Sequence, residues 1–159
     1  FLLYVQDCKQ ENDIQEVKDL IEQSQNSASI KLISGTDTSI LTEAYRNSKV
    51  FVVANHNDDL CIPLLSAMAF NLPIISINSP SLIETIGSSG TILENCEPDS
   101  IAQVIIDLLD NEKERNRLAA ISLRQYNSFY SSNIIDREFA ELIYRPLVPL
   151  VHNLSLIHI

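Results

Sequence analysis

The strongest constraint on how this chain folds is the stretch Lys49 to Phe70, KVFVVANHNDDLCIPLLSAMAF. A β-branched apolar run over Val50 to Val53 reads as a buried strand, Ala54 to Asp59 as a polar loop, and the apolar segment opening at Pro63 as a helix. Proline is favoured in a first helical turn because its missing N–H has no helical partner to lose there. A loop so placed lies beside backbone N–H groups and the positive end of a helix dipole, where α/β proteins hold phosphate or another anion.

The same alternation recurs on both sides of this stretch. Upstream, Leu2 to Val5 reads as a strand, Asn12 to Gln23 as a helix with Ile14, Val17, Leu20 and Ile21 on its apolar face, and Ile30 to Ile33 as a second strand. Thr38 or Ser39 can cap a helix running through Asn47. Downstream, Pro73 to Ile77 is a buried strand, Ser79-Pro80-Ser81 starts a helix that Gly87 closes, and Thr91 to Leu93 is a short strand. Glu97-Pro98-Asp99-Ser100 opens the helix Ile101 to Leu109, and Glu112 to Tyr126 and Ser132 to Tyr144 read as two more. Strands that are apolar on both faces, alternating with helices, predict a Rossmann-like α/β fold in which a parallel sheet carries helices on both faces. Ligands of such sheets bind at the carboxyl ends of the strands, which directs attention to the loops after Val5, Ile33, Val53 and Ile77.

Composition narrows the partners. Eleven basic and twenty-one acidic side chains give a formal charge of −10, which argues against nucleic acid or an anionic membrane, since phosphate backbones need clustered Lys and Arg. Cys8, Cys61 and Cys96 are widely spaced, without a CxxC pair, and read as reduced thiols of a cytoplasmic protein. No apolar run approaches the roughly 20 residues of a membrane-spanning helix. The first residue already lies inside an apolar run, so the chain reads as the later part of a longer protein, residues 1–145 forming one domain with a partner domain upstream. Residues 146–159 form a tail whose final LSLIHI follows no pattern of the domain and reads as a cloning or reading-frame scar.

With strands and loops placed, three segments carry a resemblance. FVVANHNDDLCIPLLSAMAFNLPIIS stands, without a gap, in the order of the family pattern FVLPS followed by xxEGFGLPLLEAMAxGxPVIA. NSPSLIETIGSSGTILEN is similar to the segment with PEVV and a Gly-rich turn, and PDSIAQVIIDLLDNEKERNRL to DPEALAEALLRLLxDPELRxRL. From Leu2 to about Tyr144 the chain resembles the carboxyl-terminal, donor-binding domain of GT-B-fold retaining glycosyltransferases, the group 1 or family 4 type with an E-x7-E motif.

The resemblance implies a domain that binds a nucleotide-diphosphate sugar for hexosyl transfer to a glycan or lipid-linked acceptor. It implies no metal and no other cofactor, and an N-terminal acceptor-binding domain through which the protein could lie against a membrane. The last helix matches the element that crosses the interdomain cleft, so apolar surface is expected there in the isolated chain. By position, the first motif glutamate, which contacts the sugar, is Asp58; the second, which contacts the ribose, is Ser66; and the two glycines that admit the diphosphate are Asp59 and Cys61. Backbone N–H groups around Leu60, Cys61 and Ile62 face the phosphates in this reading. Glu84 matches the glutamate of PEVV, where a place beside the donor pocket and a structural helix role stand level.

Ser34, Gly35, Asn78 and Ser79 border the pocket by topology alone. On its own residues, Asp58-Asp59 also reads as a solvated or capping pair, and His56 as a surface residue. The substitutions set up a rival reading. A carboxylate at Asp59 repels a diphosphate by about 1 kcal/mol at 4 Å in water, and Ser66 cannot bridge two ribose hydroxyls as a carboxylate does. The rival is a degenerate member of the family that serves as a binding or scaffolding module.

Overall fold

The computed structural model describes residues 3–5, 11–33, 38–54, 61–94 and 97–142. These fall into two compact units, Phe1–Ser48 and Lys49–Ile159.

In the first unit, strand β1 (Leu3–Val5) pairs in parallel with β2 (Ile30–Leu32), Leu3 opposite Ile30 and Val5 opposite Leu32. Parallel neighbours need a crossover, supplied by helix α1 (Glu11–Gln23) and a 3-10 turn at Ser27–Ser29. Leu20, expected on the apolar face of α1, is 61% exposed. Helical spacing identifies which residues share a face, but a wide apolar stripe leaves its margin in water. Helix α2 (Thr38–Asn47) buries Ala44. It begins at Thr38, so Thr38 lies inside the helix and its carbonyl accepts the Thr42 hydroxyl at 2.7 Å. At the other end Ser48 donates to the Ala44 carbonyl at 2.7 Å, closing the last turn.

The second unit holds a three-stranded parallel sheet in the order β3 (Phe51–Val53), β4 (Ile74–Ile77), β5 (Gly90–Leu93). Helices α3 (Ile62–Ala69) and α4 (Pro80–Ile86) make the two crossovers. All four residues of β4 are buried, as a central strand covered on both faces requires. On one face Ile75 packs with Leu108 and Leu118, joined by Val52, Leu93, Val104 and Ile105. These come from α5 (Pro98–Asp110) and α6 (Glu112–Phe129) as well as from the sheet. On the other face the Ile86 side chain of α4 reaches over Gly90 beside Ile74. Ser76 stays in the strand because its hydroxyl donates to the Ile77 carbonyl at 2.9 Å.

Turn chemistry sets the element ends. Asn71, after α3, has φ +59°, a left-handed conformation that Asn accepts better than most residues. Gly87 ends α4 at φ +57°, as expected for the residue that closes this helix. At the α5–α6 corner, Asn111 accepts the Glu114 N–H at 3.1 Å, and Arg115 donates to the carbonyls of Leu108 and Leu109 at 3.0 and 2.7 Å. The corner therefore satisfies groups that helix ends leave without partners. A further helix covers residues 132–142, and its Ile135, Phe139 and Leu142 are exposed. The expected tail, 146–159, lies outside the described residues.

Among the described residues, one buried polar side-chain atom has no partner. The Ser122 hydroxyl of α6 is fully buried and unbonded. Desolvating a hydroxyl without a compensating bond is unfavourable, so Ser122→Ala is expected to raise the unfolding free energy by about 0.5–1 kcal/mol in urea titration. A loss of stability instead would mean that the hydroxyl is bonded.

Candidate functional site

The candidate site is built where β3 ends and α3 begins. Val53 is buried at the strand end, and Leu64, Ala67 and Met68 anchor α3 through completely buried side chains. The loop of residues 55–60 connects these two elements in the chain. Asp58, Asp59 and Leu60 lie in that loop, outside the described residues, as does Gly35 after β2.

Cys61, Ile62 and Ser66 are brought together along the opening of α3. Cys61 is the residue preceding the helix, and its carbonyl accepts the Leu65 N–H at 3.2 Å, closing the first turn. Burial pushes the Cys61 thiol up from its ordinary pKa, with the Leu64 backbone N–H pulling the other way. At neutral pH this position therefore carries an uncharged thiol and not a thiolate.

Ile62 opens α3 and is 60% exposed. It stands in the first turn, and Pro63 follows it. Pro63 has no N–H, so Ile62 and Leu64 are the first-turn positions whose N–H groups lack a helical acceptor. Ser66 lies one turn beyond Ile62 on the same side of α3 and is half-buried.

Glu84 stands apart from this group, exposed on α4. At the carboxyl end of β4, Ser79 is buried and precedes α4, with its hydroxyl 3.3 Å from that of Ser81. Asn78 beside it donates through Nδ2 to the Glu94 carboxylate at 3.0 Å, tying the ends of β4 and β5 together. Glu94, directly after β5, was not expected at this edge. Among the described residues no group of three or more His, Cys, Asp or Glu could hold a metal, and no helix is long and apolar enough to cross a membrane. A surface groove along α2, lined by Thr38, Ser39, Thr42, Glu43 and Arg46, includes none of the expected site residues.

The arrangement is a strand, a polar loop and a proline-opened helix within a parallel α/β unit, and the family model for glycosyl transferases group 1 matches it across residues 7–124. The chain belongs to that family. Glycosyltransferases are among its relatives: the capsular polysaccharide biosynthesis glycosyltransferase CapM of Staphylococcus aureus is 28% identical over 144 residues, covering 89% of this chain and 37% of that protein. The O-antigen chain mannosyltransferase B of Escherichia coli is 25% identical over 114 residues, 72% of this chain and 30% of that protein. The chain thus spans 37% or less of these two relatives' lengths.

Solved structures share the fold at lower identity. Sucrose-phosphate synthase from Thermosynechococcus elongatus aligns with a TM-score of 0.76 at 18% identity, over 94% of this chain and 38% of that one. Anabaena HepE in complex with UDP aligns at 0.71 and 14% identity, and its UDP-glucose complex at 0.72, each over 91% of this chain and 40% of HepE. The group 1 domain described here is accordingly one Rossmann-like half of a GT-B fold.

Proposed function

We propose that this group 1 domain binds a nucleotide-diphosphate sugar and forms the donor half of a retaining hexosyltransferase acting on a glycan or lipid-linked acceptor. The observation that carries the reading is the β3–loop–α3 unit within the family match, whose helix opens on positions suited to an anion. UDP and UDP-glucose bound to HepE, a neighbour of the same fold, support a nucleotide sugar as the ligand class. In this reading the backbone at Cys61 and Ile62 faces the diphosphate, Asp58 accepts hydrogen bonds from sugar hydroxyls, and Ser66 meets the ribose with a single hydroxyl. No step in it requires a metal ion, because helix-terminal N–H groups and the basic residues of such enzymes take up the phosphate charge. The acceptor is met by an N-terminal domain beyond this chain.

Calorimetric titration of the full-length protein with UDP-, GDP- and ADP-sugars is expected to give saturable binding of at least one. No heat from any of them at millimolar concentration would end this reading. Asp59→Gly is expected to tighten the binding of that donor about fivefold, through loss of about 1 kcal/mol of repulsion from the phosphates. Unchanged or weaker binding would move the phosphates away from Asp59.

A second reading is favoured by Asp59, Cys61 and Ser66, which replace the two glycines and the second glutamate of the motif. Here the chain keeps the fold and serves as a binding or scaffolding module. The same titration separates the two readings, since the scaffold takes up no nucleotide sugar.

A further inference from the structure

We draw no further inference here: the strongest candidate, the exposed apolar face that Ile135, Phe139 and Leu142 form on the helix over residues 132–142, carries none, because nothing in the structure shows what covers it.

Discussion

Replacing Ile75 by alanine is expected to lower the unfolding free energy by about 3–4 kcal/mol, in the upper half of the range for such truncations. Ile75 is fully buried at the centre of β4, with β3 and β5 paired on either side. Its side chain meets Leu108 of α5 and Leu118 of α6, so the cavity left behind is walled by two helices and a sheet. Such walls relax little, and the cost then includes an unfilled cavity as well as the lost transfer of the side chain from water. Urea denaturation of the two chains measures the difference. A change below about 1 kcal/mol would remove Ile75 from the centre of this core.

Gly90→Ala is the second large effect, expected to cost about 2–3 kcal/mol, near the top of the usual overpacking range. A Cβ at Gly90 would stand 2.8 Å from Ile86 Cγ2, 3.0 Å from the Ile74 carbonyl oxygen and 3.3 Å from Ile74 Cβ. Gly90 is the register partner of Ile74 in the parallel ladder. The ladder prevents the carbonyl from retreating, and the buried Ile86 holds α4 close to the strand. The clash is therefore relieved by opening the β4–β5 pair or by lifting α4. Thermal unfolding followed by circular dichroism reads the effect as a lowered Tm; an unshifted Tm would show that the sheet yields without cost at this position.

Much of the fold is legible in the sequence because strand and helix periods differ, and because Pro63, Pro80 and Pro98 each stand at a helix start. The β-strands could be found as continuous apolar runs since β4, for example, is buried on both faces and has no polar face to interrupt its pattern. Which margin of an apolar helix meets water was harder to read. Leu20 was assigned to the apolar face from spacing and is exposed, because periodicity sets an angle around a helix and carries no information about where its neighbour ends. The Asn78–Glu94 bond joins residues sixteen apart, and no local pattern announces such a contact.

The candidate site divides along similar lines. Cys61, Ile62 and Ser66 were readable as neighbours because one helix fixes their spacing. Asp58, Asp59, Leu60 and Gly35 lie outside the described residues, so the roles of the first three rest on position in the family pattern and that of Gly35 on topology alone. Glu84 is on α4 and exposed, an arrangement compatible with either of the roles it was given.

The way α3 is anchored has a consequence for experiment. Among the described residues, Val53, Leu64, Ala67 and Met68 fix β3 and α3 through buried side chains. Truncating any of these four side chains is expected to lower stability, since each removes buried apolar contact. A ligand-binding defect in a variant of α3 can therefore be assigned to recognition only beside a urea titration of the same variant, because the helix that presents the site is also part of the core.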